Sequence, residues 1–157
     1  MSTVSHTPLI TPFLWFDSNA EEAVRFYTSV FPNSRILTTL PNQPDITPSK
    51  AKVLTIAFEL DGLPFTALNG GPNFTFNQAV SFVVHCANQQ EIDHYWEKLT
   101  ADGGAEVACG WLTDKFGLSW QVVPKDIGEL VRHPNAMQAL MQMKKLDIAT
   151  LEQAARE

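Results

Sequence analysis

The sequence predicts an α+β protein built from two successive β-α-β-β-β modules and a helical segment after them. Three observations carry that expectation. Strand-like and helix-like runs follow one another in the same order twice, an Asp61-Gly62 pair between two apolar runs marks a hairpin, and the second half reopens like the first at an offset of 70 positions. The first module covers 8–72, the second 79–124 and the helical segment 125–157, all within one body whose 157 residues are enough for a single domain.

In the first module, Ile10-Thr11-Pro12-Phe13-Leu14-Trp15-Phe16 is short, apolar and rich in β-formers, with its proline near the start, where a strand best tolerates one. Asp17-Ser18-Asn19 supplies cap-type residues, and Ala20, Val24, Tyr27 and Phe31 recur at helical spacing, with Glu21 and Glu22 in the first turn, where negative charge suits the dipole. Pro32-Asn33 ends that helix. Ser34 to Leu40 reads as a strand. The segment Pro41 to Pro48 holds three prolines and reads as a surface loop or a mobile lid. Lys52 to Leu60 and Leu63 to Leu68 then flank Asp61-Gly62 as antiparallel neighbours.

After Asn69-Gly70-Gly71-Pro72 the order begins again. Ala79 to Cys86 is a strand, and Asn88 to Asp102 a helix with Ile92, Tyr95, Trp96 and Leu99 on its apolar face, stopped by Gly103-Gly104. Ala105 to Trp111 and Leu118 to Val123 are strands, with a turn and another short strand expected over Thr113 to Gly117. Superposing the openings sets Ser81 on Thr11, Val83 on Phe13, His85 on Trp15 and Trp96 on Phe26. From Asp126 onward the pattern turns helical. Pro134 begins one helix, whose Met137, Leu140 and Met141 read as ordinary core or a partner-facing stripe, and Asp147 caps a second that carries Ile148, Leu151 and Ala155.

Composition excludes several classes. A 45% hydrophobic content with 18% charged residues rules out wholesale disorder. Acidic residues outnumber basic ones 17 to 11, the formal charge is -6, and the basic residues are scattered apart from Lys144-Lys145, so no nucleic-acid partner is expected. No apolar run approaches the ~20 residues that cross a bilayer, and Met1 to His6 lacks the basic and apolar parts of a secretion signal, which predicts a cytoplasmic protein with no membrane partner. Cys86 and Cys109 read as two buried thiols, spaced too far apart for a zinc motif.

Several of these stretches together resemble a known family. Ile10 to Phe16 followed by Glu21-Glu22-Ala23 and Phe26-Tyr27, then Ala67-Leu68-Asn69-Gly70-Gly71-Pro72, Cys109-Gly110-Trp111, Asp114-Lys115-Phe116-Gly117, Ser119 to Pro124 and Met143 to Ile148 are similar to the PhnB-like branch of the vicinal oxygen chelate superfamily, which also holds glyoxalase I, ring-cleaving dioxygenases and bleomycin-resistance proteins. The resemblance implies paired β-α-β-β-β modules that form a cleft, commonly in a homodimer. Proteins with these motifs are often labelled demethylubiquinone methyltransferase. A doubly wound methyltransferase would need a glycine-rich turn after its first parallel strand, and Gly70-Gly71 and Gly103-Gly104 are isolated pairs at turns instead.

In the metal-using relatives an ion is held by His or Glu from the first and last strands of each module. Carried over by position, those ligands fall on Thr11, Ser81 and Gln121, with the fourth between Thr66 and Asn69. All are uncharged, and neutral hydroxyls and amides hold a divalent ion poorly against water, so no metal and no other cofactor is expected. His85 lies two pleats from Ser81 and is the candidate catalytic residue, its bland reading being a hydrogen-bonded pocket histidine. His94 reads as solvated surface, and His6 and His133 receive no chemistry. The candidate ligand-binding residues are Thr11, Phe13, Trp15, Asn69, Ser81, Val83, His85, Trp111, Phe116 and Gln121. For Trp111 and Phe116, ligand wall and ordinary aromatic packing stand as equal readings. Three functions follow: binding of a small organic molecule with a ring or carbonyl; a lyase, isomerase or dioxygenase using a metal or His85; and methyl transfer to a quinone-like substrate.

Overall fold

In the computed structural model, residues 7–157 are described; the readings of Met1 to His6 as a tail without a secretion signal lie outside them. The chain divides into two compact units, one ending at Thr75 and the other running from Phe76 to Glu157.

In the first unit, strand β1 (Phe13–Phe16) leads into helix α1 (Ala20–Val30), followed by β2 (Arg35–Pro41), β3 (Val53–Leu60) and β4 (Leu63–Asn69). The sheet order is β1-β4-β3-β2, with β1 parallel to β4 and the other pairs antiparallel. β1 is shorter than the apolar run that announced it: Pro12 has no N–H to give, and Leu9 and Ile10 lie exposed. Alternation along the strands buries Leu14, Phe16, Ile56, Phe58, Leu60, Phe65 and Ala67 on one face. Ala20, Ala23, Val24, Tyr27 and Val30, spaced three and four apart, form the buried stripe of α1. Phe58 and Phe65 are cross-strand partners whose rings stack at 5.4 Å. Between them, Asp61 and Gly62 take φ of +48° and +77°, the pair of left-handed residues a two-residue hairpin of this twist requires.

The cap of α1 differs from the local one expected. Asn19 makes no side-chain cap bond; Asn69, at the end of β4, accepts the Ala20 N–H at 2.9 Å instead. The proline-rich loop is fastened rather than free. The Asn42 N–H donates to the Lys52 carbonyl at 2.8 Å, the Asn42 amide donates to the carbonyls of Ser49 and Ala51, Thr47 Oγ1 donates to the Asn69 carbonyl at 3.2 Å, and Ser49 Oγ reaches Ser18 Oγ at 3.2 Å.

The second unit repeats the plan. Strand β5 (Ser81–Cys86), helix α2 (Gln89–Thr100), β6 (Ala105–Glu106), β7 (Trp111–Thr113) and β8 (Ser119–Pro124) form a sheet of order β5-β8-β7-β6, again parallel only between its first and last strands. Asn88 caps α2 by accepting the Glu91 N–H at 2.9 Å, while the Glu91 carboxylate accepts the N–H of Ala87, the residue before the cap, at 2.8 Å. Ala105 to Trp111 is not one strand. The chain turns at Ala108 to Gly110, where Cys109 and Gly110 have φ of +62° and +85°, and the Val107 N–H bonds the Trp111 carbonyl at 2.9 Å. The next turn is held by the buried Asp114 carboxylate, which accepts the backbone N–H groups of Phe116 (2.8 Å) and Leu118 (3.1 Å) and the Trp120 indole N–H (2.9 Å).

Three short helices follow: α3 (Ile127–Leu130), α4 (Pro134–Met141, proline at its first turn) and α5 (Ile148–Ala155), capped by Asp147 accepting the Thr150 N–H at 2.9 Å. Leu130, Leu146 and Leu151 cluster with Val123 of β8. The core reading of the methionine stripe is corrected: Leu140 and Ala139 pack on this cluster and Ala136 is buried, while Met137 and Met141 stand exposed. The connector Met143 to Ile148 is stitched to the rest of the unit. The N–H groups of Cys109 and Gly110 donate to the carbonyls of Met143 and Lys144, Gln89 donates to the Leu146 carbonyl (3.0 Å) and accepts the Ile148 N–H (2.8 Å), and Lys145 pairs with Asp93 at 2.8 Å.

Candidate functional site

Each sheet has one face under its helix and one turned away from it. On the first sheet the away-facing side carries Phe13 and Trp15 of β1 beside Thr66 and Leu68 of β4, their partners in register. Phe13 is 58% exposed and Trp15 half-buried. Trp15 is held rigidly. Its indole N–H donates to the Gly71 carbonyl at 2.9 Å, Phe74 meets its ring edge-on at 4.9 Å, and a Cβ on Gly70 would fall 2.4 Å from the ring, so only glycine lets the indole lie there.

Asn69 does not belong with these residues. Along β4 the side chains of Phe65, Ala67 and Asn69 share the buried face, and Asn69 spends its amide on Ala20 N–H, on Glu21 Oε1 at 2.8 Å and on the Val53 carbonyl at 2.8 Å. It caps α1 and ties β4 to β3, which corrects its expected place among ligand-facing residues. Thr11 precedes β1 and is half-buried.

The second sheet gathers more of the predicted set. Ser81, Val83 and His85 of β5 lie beside Ser119, Gln121 and Val123 of β8, and Trp111 and Thr113 of β7 pair with Gln121 and Ser119. Gln121 Nε2 donates to Ser81 Oγ at 2.9 Å. His85 is exposed at the end where Val123 disappears under the C-terminal helices. Phe116 lies in the Asp114 turn, its ring 5.6 Å from the Lys115 ammonium. Ser119, which strand alternation puts on one face with Gln121, is fully buried, and its Oγ has no hydrogen-bond partner among the described residues. The sequence places it on this face; only side-chain packing shows that its hydroxyl is unsatisfied.

The register also settles which residue of the first module matches Gln121. Phe13 pairs with Thr66 as Val83 pairs with Gln121, so the position is Thr66. At these positions the first unit thus offers two hydroxyls, Thr11 and Thr66, and the second a hydroxyl and an amide, Ser81 and Gln121. Gln121 already points an N–H at Ser81, and neither pair of neutral groups fits a divalent ion. The described residues hold no group of three or more His, Cys, Asp or Glu placed to share one.

Of the two cysteines, Cys86 is buried, and its thiol is pushed up to about 12 by burial, with the negative charge of Glu91 adding to it. Cys109, expected to be buried, is half-exposed at the hairpin turn, 3.7 Å from the Met141 sulfur.

Two mixed four-stranded sheets, each with parallel pairing between the first and last strands of its module, together with the family match, make this a protein of the vicinal oxygen chelate superfamily. The family described as 3-demethylubiquinone-9 3-methyltransferase matches residues 8–123, and the chain belongs to that family. It is similar to a PhnB protein of Bacillus cereus described by the same activity, with 36% identity over 74% of this chain and 99% of that one and a TM-score of 0.67. It shares its fold with a protein from Pseudomonas aeruginosa (20% identity, 76% and 98% covered, TM-score 0.62). The fosfomycin resistance protein FosX from Mesorhizobium loti has that fold too (12%, 80% and 97%, TM-score 0.58). No curated protein matches the chain. Among the described residues no helix is long and apolar enough to cross a membrane.

Proposed function

We propose that this protein binds a small organic molecule with a ring or carbonyl on a sheet face turned away from its helix, without a resident metal ion, as a cytoplasmic homodimer. The observation that carries this reading is the Gln121–Ser81 hydrogen bond: two positions that hold an ion in metal-using relatives are here neutral groups bonded to each other. Beside them on the same sheet stand Val83, Trp111 and His85, a mainly apolar lining with few polar groups. Native mass spectrometry of untagged protein tests it: a co-purifying organic mass that leaves on mild denaturation is expected. Protein that carries no such mass and gains no stability from any aromatic carbonyl compound overturns it.

The family's name supports a second reading, methyl transfer. Neither sheet has the doubly wound plan that holds S-adenosylmethionine in Rossmann-type methyltransferases, since each is antiparallel except between its first and last strands. A cofactor bound at a hundred times its dissociation constant stabilises by about 2.7 kcal/mol, so a thermal-shift titration with S-adenosylmethionine separates the readings. A clear shift would favour the methyltransferase.

A further inference from the structure

We propose that Ser119 is the deep hydrogen-bond donor of the second module and that the group it receives is an uncharged carbonyl oxygen of the ligand; this rests on the ligand-binding reading of that sheet face. The hydroxyl is fully buried and makes no hydrogen bond among the described residues. Buried polar groups without partners cost free energy and are rare, so each needs an explanation. Asn42 is the contrasting case: its Oδ1 is also unpaired, but its amide nitrogen makes two bonds that hold the proline-rich loop, so a structural role accounts for it. Ser119 has no such role.

Its neighbours are arranged to finish the site. Ser81 is its partner across β5 and Thr113 its partner across β7, so three hydroxyls stand side by side on one face. Ser81 Oγ accepts from Gln121, which leaves its own proton to donate outward. A carbonyl oxygen has two lone pairs and can take one hydroxyl from Ser81 and one from Ser119. Ser81, Thr113 and Gln121 are all half-buried, so the residues that flank Ser119 on this face are themselves partly open. Charge selects among oxygens. The strand residues of this face include no Lys or Arg, and a carboxylate or phosphonate would exchange water for neutral hydroxyls alone, whereas a ketone, quinone or amide oxygen loses much less.

The test uses the whole chain and three probes of similar size: acetophenone, benzoate and ethylbenzene, titrated by NMR, with Ser119→Ala beside the wild type. The proposal expects acetophenone to bind at least tenfold more tightly than either of the others, and Ser119→Ala to weaken acetophenone severalfold, narrowing its advantage over ethylbenzene, while leaving ethylbenzene unchanged. It also expects the ligand-free variant to melt about 2–4 °C higher, because the unpaired hydroxyl is gone. Binding without a preference for acetophenone, a preference that Ser119→Ala leaves undiminished, or a lower melting temperature for the variant overturns the assignment of Ser119 and leaves the ligand-binding reading standing. Failure of all three probes to bind wild-type protein overturns that reading as well.

Discussion

Trp15 and Gly70 show how one backbone atom decides a side chain. With the indole where a Cβ on Gly70 would sit, Gly70→Ala must expel the ring from its place against Gly71 and Phe74. A loss of about 1–3 kcal/mol in chemical denaturation, with a red shift of tryptophan emission, is expected. The same close reading separates the cysteines. Iodoacetamide at pH 8 should label Cys109 and spare Cys86, read by mass spectrometry of the native protein. The raised Cys86 pKa also fixes a sign. Above about pH 8.5 the unfolded chain loses a thiol proton that the native chain keeps, so stability falls as pH rises toward 12. Cys86→Ala should flatten that alkaline decline in urea midpoints. Which candidate residues share a strand face was legible, because strand alternation alone puts Ser81, Val83 and His85 on one face and Phe13 and Trp15 on another. Asn69 was not: the same alternation leaves open which face of a strand the helix covers, and its amide turned out to serve the N-terminus of α1.

At the scale of elements, the connector between α4 and α5 lies, with the C-terminal helices, beyond the family match over 8–123. It is bound by backbone hydrogen bonds to the Cys109 turn, by Gln89 and by Leu146, whose side chain meets the space a Cβ on Gly110 would take at 3.1 Å. Leu146→Ala removes a fully buried side chain from the cluster with Val123 and should cost about 2–5 kcal/mol. A loss under 1 kcal/mol in urea unfolding would mean that the connector is an ornament of the second unit. Helices and hairpins were the readable elements, since Asp61-Gly62, Pro134 and Asp147 each act through local backbone chemistry. The break at Cys109 was hidden because a cysteine at positive φ has no local sequence signal, and here its N–H is held by a carbonyl 34 positions away, that of Met143. The exposed Met137 and Met141 escaped for a related reason: periodicity finds an apolar stripe without saying which neighbour it meets.

For the whole molecule, the doubled order β1-β4-β3-β2 and β5-β8-β7-β6 turns the weak sequence repeat into a positional one. That correspondence makes Thr66 the counterpart of Gln121 and completes the uncharged set of Thr11, Thr66, Ser81 and Gln121. Elemental analysis of protein purified without a histidine tag tests this central claim most directly. The account predicts zinc, nickel, manganese and iron each far below one per chain; a near-stoichiometric content of any of them, lost on changing Ser81 or Gln121 to alanine, would contradict it.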